Sequence, residues 1–363
     1  MDMNRPRRAA AALAALLLAG SPVRADLDLD AGFGGGETVA VDFDGGLDGA
    51  RDAAVQADGR IVLAGFARQE LDDVTYTFLG VARLLGDGTP DPDFGTNGRV
   101  ALLPGGTPAA AFAGAEGRAV LVQPDQAILV SGFRDAGGGA DAQVVVLRLT
   151  PAGALDPGFG TDGIVLLDVP GLGDPSGDDL ALQSDGSILV AGSGDAVAGP
   201  AGFVLRLTPA GALDTTFGVG GVRVLPATDP NTGDFGVRAI DVLGDDRILA
   251  VAGGPDLVLA RLTADGDLDA GFGAGGSAVV DIAALGGGSE PSRDDGFGLV
   301  RQSDGSIVVA GFSVPAGQSR SAAVLVRFTS AGAVDAGFGT GGALTIPGAG
   351  SFPAAYDVVA LPD

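Results

Sequence analysis

Short runs of consecutive apolar residues recur along the chain and are separated by turns rich in Gly and Asp. Residues 188–192, for example, read Ile-Leu-Val-Ala-Gly and lie just after an Asp-Gly pair. Because every position of the run is apolar, rather than every second one, the pattern predicts a short β-strand buried on both faces. The Asp-Gly pair is typical of a tight hairpin turn. Five such turns begin at Asp58, Asp125, Asp185, Asp245 and Asp304.

Four apolar segments of this kind fall in each repeat of 55 to 66 residues. Periods of this length are typical of propellers, arrays and solenoids, and four short strands joined by Gly-rich turns indicate a propeller blade. The alternative is a β-solenoid, but solenoid repeats are usually shorter. We therefore predict an all-β protein, a β-propeller of four-stranded blades with five complete repeats plus a partial sixth, at 33–93, 94–158, 159–216, 217–271, 272–337 and 338–363.

Each repeat is marked by a motif close to Leu-Asp-x-x-Phe-Gly-x-x-Gly. We interpret its Phe as a side chain buried in the core between blades, and its glycines as the residues that form the turn. The last repeat begins at this motif and reaches only the residues where the next hairpin turn would form. We expect either that the chain is a piece of a longer reading frame or that it leaves an exposed sheet edge. The six Phe residues are Phe33, Phe94, Phe159, Phe217, Phe272 and Phe338.

A polar register accompanies the third strand of every complete repeat. An Arg precedes an Asp by eight residues, and that Asp precedes the motif Phe by three. Because a guanidinium presents several donors in a rigid fork, we interpret the pair as a structural latch across a hairpin end. The alternative is a ring of Arg or Asp around a shared channel, but presence in every copy favours the latch. The pairs are Arg83 with Asp91, Arg148 with Asp156, Arg206 with Asp214, Arg261 with Asp269, and Arg327 with Asp335.

Two motifs alternate in fixed order along the chain. Residues 55–65 read Val-Gln-Ala-Asp-Gly-Arg-Ile-Val-Leu-Ala-Gly, and 147–163 read Leu-Arg-Leu-Thr-Pro-Ala-Gly-Ala-Leu-Asp-Pro-Gly-Phe-Gly-Thr-Asp-Gly. This combination resembles the bacterial delta-60 repeat, an uncharacterised β-propeller family, over nearly all of 26–363. The resemblance implies a propeller in an exported protein and lends no catalytic residue. The second and fourth turns depart from the pattern, since Gln126 and Asp246 replace the Gly.

Residues 1–25 are predicted to be a secretory signal peptide. Three arginines among the first eight residues precede an apolar stretch at 9–20. That stretch is shorter than the roughly 20 residues that span a bilayer, and it is followed by a signal-peptidase site after Ala25. The chain from Asp26 to Asp363 is then predicted to be one propeller domain, secreted or periplasmic.

The composition narrows the classes of function. A formal net charge of −25 disfavours nucleic acid and anionic membrane surfaces as partners, and it suits an acidic, soluble exported protein. The chain contains no Cys and no His, so thiolate chemistry and the commonest general base are excluded. We assign no catalytic residue and no cofactor from the sequence.

Two runs of alternating Asp have the spacing of a calcium loop, in which carboxylates converge on one ion. The first run has Glu37 at the twelfth position, where a calcium loop places its bidentate ligand, but neither run has the Gly that such loops need at the sixth. Turn and latch roles explain most of these residues, so calcium is a weak alternative. The candidates are Asp26, Asp28 and Asp30 with Glu37, and Asp265, Asp267 and Asp269.

The sequence favours a non-catalytic binding or scaffolding module whose partner is an unknown protein or carbohydrate. Its longer loops would present the variable surface; we place them at 68–77, 104–117, 135–142 and 226–236. One alternative is a carboxylate-based hydrolase or lyase acting on an extracellular polysaccharide. Another is a calcium-stabilised structural protein.

Overall fold

The computed structural model describes residues 7–8, 30–43, 45–71, 74–105, 114–135, 137, 139, 141–197, 199–226, 235–285, 292–315, 321–346 and 354–360. These residues form 21 β-strands and one helix, α1 (Ile282–Leu285). The all-β prediction is therefore confirmed.

The chain divides into two compact units, Met1–Ala140 with Val145–Leu166, and Asp141–Val144 with Leu167–Asp363. The first nine strands lie almost wholly in the first unit. They are β1 (Arg7–Arg8), β2 (Asp48–Val55), β3 (Ile61–Leu71), β4 (Val74–Leu84), β5 (Arg99–Leu102), β6 (Gly114–Val122), β7 (Ile128–Asp135), β8 (Gln143–Leu149) and β9 (Ile164–Leu167).

The other twelve strands belong to the second unit. They are β10 (Gly173–Leu182), β11 (Ile188–Ala196), β12 (Gly199–Leu207), β13 (Val222–Pro226), β14 (Val237–Val242), β15 (Ile248–Ala252), β16 (Leu257–Leu262), β17 (Ser277–Val280), β18 (Ser292–Arg301), β19 (Ile307–Pro315), β20 (Ala322–Phe328) and β21 (Ala343–Ile346). Consecutive strands pair antiparallel into three four-stranded sheets, which begin at β10, β14 and β18.

The first unit repeats this arrangement. Strands β2 to β5 pair in order, as do β6 to β9, and a single parallel bridge between Thr77 and Gly114 joins the two sets. The short strand β1 pairs with the last residues of β2. The rest of 1–25 lies outside the described residues, and the signal peptide remains a prediction.

The boundaries of the sheets do not coincide with those of the predicted repeats, which begin at the motif Phe. The strand after each Phe-Gly motif completes the sheet of the three strands before it, as β5 does with β4 and β13 with β12. The hairpin turn joins the first two strands of each sheet. Where the turn lacks its Gly, Gln126 and Asp246 adopt the positive φ instead, at 69° and 63°. The turn geometry is thus kept without the preferred residue.

Within each unit, core clusters lie between successive sheets and contain motif Phe residues, among them Phe94, Phe217 and Phe272. In the first unit, Phe94 is completely buried among apolar side chains such as Val62, Val120 and Leu147. In the second unit, Phe217 is buried between the sheets that begin at β10 and β14. Burying a side chain of this size contributes about 1.5–3 kcal/mol. Both faces of these strands are covered by other parts of the protein, which explains why their apolar residues are consecutive and not alternating.

Candidate functional site

The structure places each predicted Arg beside its predicted Asp. The Arg Nε lies 2.7–2.8 Å from the Asp Oδ2 in all five repeats. The guanidinium also lies over the ring of the motif Phe, with its Cζ 4.6–5.0 Å from the ring centroid. The three side chains form one unit, which we call the clamp. Its members are Arg83, Asp91 and Phe94; Arg148, Asp156 and Phe159; Arg206, Asp214 and Phe217; Arg261, Asp269 and Phe272; and Arg327, Asp335 and Phe338.

The clamp reaches the next repeat. Arg206 donates from Nη1 to the backbone oxygen of Ala264 at 2.9 Å, and Arg261 donates to that of Ser330 at 3.0 Å. Arg83 donates in the same way to Pro151. The acceptor lies in the turn that follows the third strand of the next repeat, so one guanidinium connects two repeats.

A glycine at this turn lets the backbone approach the motif Phe. At Gly153, φ is +83°, and a Cβ there would lie 2.9 Å from the Phe94 ring. At Gly266, φ is +87°, and a Cβ would lie 2.7 Å from the Phe217 ring. Any larger residue would therefore be strained and would also clash.

The two outer motif Phe residues are less buried than the four between them. Phe33 and Phe338 are half-buried, whereas the others are completely buried. Arg327 and Asp335 in the last clamp have side chains 26% and 30% exposed, compared with 7% and 1% for Arg83 and Asp91. Whether the clamps act as latches for stability remains a prediction.

Four of the clamp carboxylates, those of Asp91, Asp156, Asp214 and Asp269, have a pKa below the ordinary value. The N–H of Gly158 holds the pKa of Asp156 below its ordinary value, helped by Arg148. The hydroxyl and N–H of Thr216 do the same for the pKa of Asp214. Burial alone would raise the pKa of Asp91, but the N–H of Asp93 and the charge of Arg83 lower it overall. Carboxylates held in this way suit a structural role better than proton transfer.

The second calcium candidate does not form a cluster in the structure. Asp269 pairs with Arg261 and Arg247, Asp267 pairs with Arg223, and Asp265 lies 3.8 Å from Arg206. Of the first candidate, Asp26 and Asp28 lie outside the described residues, and Asp30 accepts the N–H of Gly32. Within the described part of the chain, no group of three or more acidic residues is arranged to hold a metal ion.

A second repeated feature was not predicted from the sequence. The first strand of every sheet contains a β-bulge, at which the pairing register shifts by one residue. Bulges re-aim side chains and are common beside binding sites. The extra residue of each bulge lies seven positions before the Asp of the hairpin turn. The residues found at this position are charged or aromatic. The bulge residues are Arg51, Arg118, Asp178, Arg238 and Phe297, and Tyr356 has the same offset from Asp363.

Two pairs of residues at the bulge positions of consecutive repeats contact each other. Arg238 donates to Asp178 at 3.2 Å, and the rings of Phe297 and Tyr356 stack with their centroids 5.0 Å apart. Arg51 pairs with Glu116 of the next repeat at 2.5 Å. These positions are equivalent in the repeat, but their chemistry differs from one repeat to the next.

The bulge residue Arg51 lines a groove in the first unit with a volume of about 280 Å³. The walls come from the ends of β2, β3, β4, β6 and β7, where β4 and β6 meet. Residues from three of the predicted variable loops line it, but these residues lie in strands: 68–71, 74–77, 114–117 and Asp135 are strand rather than loop. The correction follows from cross-strand pairing that continues through Leu71 and Val74. The lining residues are Arg51, Phe66, Arg68, Thr77, Gly114, Ala115, Glu116, Phe133 and Asp135.

The groove combines aromatic rings with charged groups. Arg51 and Arg68 lie 5.2 and 5.9 Å from the Phe66 centroid, and Gly49 leaves room for that ring, since a Cβ there would lie 2.7 Å from it. Phe133 forms the opposite wall. Convergent polar groups around apolar rings are the usual lining of a small-molecule site. The groove is therefore the candidate binding site.

A buried carboxylate in the second unit has a different environment from the clamp residues. Asp294 is completely buried, and its Oδ2 accepts the N–H of Ile282 at 2.7 Å and the hydroxyl of Ser292 at 2.9 Å. Burial raises the pKa of Asp294 to about 6, and the nearby Asp281 adds to the increase. Asp294 holds the start of α1 against β18, and no Arg pairs with it among the described residues.

The sequence matches a protein-family model at four places. The family is described as a domain of unknown function (DUF5122) beta-propeller, and the matches cover residues 56–94, 183–217, 240–272 and 302–338. Each match begins near the hairpin turn and ends at a motif Phe. These segments are similar to the repeats of an uncharacterised β-propeller family. No curated protein matches the sequence.

Solved structures of low similarity were also found. A protein of unknown function from Bacteroides caccae is 14% identical, with 82% of this chain and 87% of that chain covered and a TM-score of 0.42. The PQQ-bound aldose sugar dehydrogenase from Streptomyces coelicolor is 15% identical, with coverages of 82% and 84% and a TM-score of 0.42. An endo-arabinase from Bacteroides thetaiotaomicron is 10% identical, with coverages of 60% and 78% and a TM-score of 0.34. Similarity this low assigns no activity to the chain.

The propeller repeats contain no membrane-spanning helix in the described ranges.

Proposed function

We propose that the protein is an exported, non-catalytic β-propeller of the delta-60 type, with five complete blades and a partial sixth, that binds a small polar ligand. The groove between β3, β4, β6 and β7 is the binding site. The observation that carries the proposal is the contrast between repeats: the clamps keep one chemistry throughout, whereas the position of Arg51, which lines the groove, is basic, acidic or aromatic in different repeats. Binding sites in repeat proteins are expected to break the symmetry of the scaffold.

The polar groups in the groove support binding better than catalysis. Glu116 is paired with Arg51, and the N–H of Gly137 bonds Asp135 at 2.6 Å. These contacts fix the two carboxylates in position, and their remaining lone pairs can accept hydrogen bonds from a ligand. Thr77, Phe66 and Phe133 provide a hydroxyl and apolar surface. These groups suit recognition of a hydroxylated ring.

The test is a titration of the purified chain with a panel of monosaccharides and oligosaccharides, with product release monitored in parallel. We expect binding without turnover. Thr77→Trp places a large side chain in the groove and should abolish binding, whereas Val224→Trp, at an exposed strand position of the second unit, should leave binding unchanged. Turnover of any member would support the hydrolase or lyase alternative, and an absence of binding across the panel would contradict the proposal.

Export is tested separately. We propose that the signal peptide is removed after Ala25 and that the mature protein is secreted or periplasmic. The intact mass of the protein recovered from outside the cytoplasm should correspond to an N-terminus at Asp26. A protein that keeps its first 25 residues would contradict this part of the proposal.

A further inference from the structure

We propose that the ligand of the groove is a sugar that carries a carboxylate, and that Arg68 recognises the carboxylate. This inference rests on the proposed function and names its ligand class. Arg68 is exposed and lies two residues after Phe66 on β3, so that both side chains project from the same face of the strand. Its cross-strand neighbour is Thr77, which also lines the groove.

The two arginines of the groove are in different electrostatic situations. Arg51 is paired with Glu116 at 2.5 Å, so its charge is matched within the protein. Arg68 forms no ion pair with any residue in the described ranges, and its guanidinium contacts only the Phe66 ring at 5.9 Å in the interactions observed. Of the two arginines that line the groove, Arg68 is therefore the one whose charge is available to a ligand. The planar fork of Arg is suited to a carboxylate, which it binds through two parallel hydrogen bonds.

The rest of the lining favours a sugar as the carrier of that carboxylate. The carboxylates of Glu116 and Asp135 accept hydrogen bonds, and sugar hydroxyls donate them. Arg118 lies over the ring of Phe133, 5.1 Å from its centroid, and the ring adds apolar surface to the groove against which the C–H groups of a sugar can pack. The groove volume of about 280 Å³ suits a single sugar ring.

The experiment compares two ligands that differ only at one carbon. Methyl glucuronoside carries a carboxylate where methyl glucoside carries a hydroxymethyl group. Calorimetric titration of the full chain should show the glucuronoside binding at least about tenfold more tightly, because a charge-assisted hydrogen-bonded pair is present in only one complex. The preference should decrease as salt is raised, since an exposed charge pair is screened.

Substitutions of Arg68 test whether this residue causes the preference for the glucuronoside. Arg68→Gln should reduce glucuronoside affinity to that of the glucoside, and Arg68→Lys should retain part of the preference because it keeps the charge but loses the fork. Arg223→Gln removes the same charge in the second unit and should behave as the parent protein does. Arg68 is exposed, so circular dichroism should show each Arg68 variant folded.

The results that would contradict the inference can be distinguished from those that would contradict the proposed function. Equal affinity for the two glycosides in the parent protein, or a preference that survives in Arg68→Gln, would overturn the inference while leaving the proposed function intact. An acetylated dipeptide with a free C-terminus that binds more tightly than the glucuronoside would overturn the choice of a sugar. A failure of both glycosides together with the whole saccharide panel would instead overturn the proposed function.

Discussion

The clamps and the bulge positions differ in how chemistry is distributed over the repeats. Every clamp has the same three residue types in the same geometry, with Nε to Oδ2 distances of 2.7–2.8 Å. The bulge positions share one backbone irregularity, but their side chains are basic in three repeats, acidic in one and aromatic in another. The comparison indicates that the two sets of residues have different roles. The clamps connect repeats, and the bulge positions provide surface chemistry that varies along the chain.

The largest effect is expected when a buried clamp is broken. Arg83→Ala removes one of the two guanidinium groups that pair with the buried Asp91, the other being that of Arg60, and it also removes a hydrogen bond to the next repeat. The free energy of unfolding should decrease by about 1.5–3 kcal/mol, the usual contribution of a hydrogen bond to a charged group, as measured by denaturant melting. Arg327→Ala is the matched control, because that clamp is more exposed, and it should cost about 1 kcal/mol or less. Equal losses in the two variants would show that burial of the clamp is not what stabilises it.

Asp294, a buried carboxylate with no Arg partner among the described residues, should lower the stability of the folded protein at neutral pH. The pKa of Asp294 is about 6 in the folded protein and 3.8 as its ordinary value, so the folded state binds more protons between these two values. Stability should therefore increase as pH falls from 7 towards 4, up to about 3 kcal/mol from this residue. Asp294→Asn should be more stable than the parent protein at pH 7.5, and its stability should lose this pH dependence.

The control for this prediction is a clamp carboxylate. Because the pKa of Asp156 is lowered, its contribution is present above pH 3.8 and is lost only as pH falls through its lower folded pKa. Asp156→Asn should therefore be less stable than the parent protein at pH 7.5. If Asp294→Asn were also destabilised at that pH, the assignment of a raised pKa to Asp294 would be contradicted.

A smaller effect is expected at a bulge position. Tyr356 is exposed and stacks on Phe297, and such an aromatic pair contributes about 0.5–1.5 kcal/mol. Tyr356→Ala should lower the free energy of unfolding by no more than this amount in the same melting assay. A loss comparable with that of Arg83→Ala would remove the distinction between clamps and bulge positions.

The smallest expected effect is that of removing divalent cations. Asp265, Asp267 and Asp269 lie near four different arginines and do not converge on one point, so EDTA should leave the melting temperature unchanged. A decrease that calcium reverses would support the calcium-stabilised alternative, with Asp30 and Glu37 as the residues to substitute next.

The sequence predicted those features that recur at fixed spacing. The apolar runs predicted the strands, and the eight-residue offset anticipated which Asp lies beside Arg206, because both follow from local order along one hairpin. The bulge at Arg51 was not predicted, since a bulge is defined by the pairing partner and not by the bulged strand alone. The groove was missed because it joins Arg68 and Phe133, which are far apart in sequence and meet only when two sheets pack. The span 68–77 appeared as a loop because its Asp72-Asp73 pair resembles a turn, yet the strands on both sides continue to it.

The most direct test of the account is hydrogen exchange measured by mass spectrometry on the full chain, with and without saturating methyl glucuronoside. The account predicts slower exchange in β2, the end of β3, β6 and β7 around the groove, and no change in peptides that carry the clamps of the second unit. Slower exchange confined to the second unit, or no change anywhere at a concentration that saturates binding, would contradict the assignment of ligand binding to the groove.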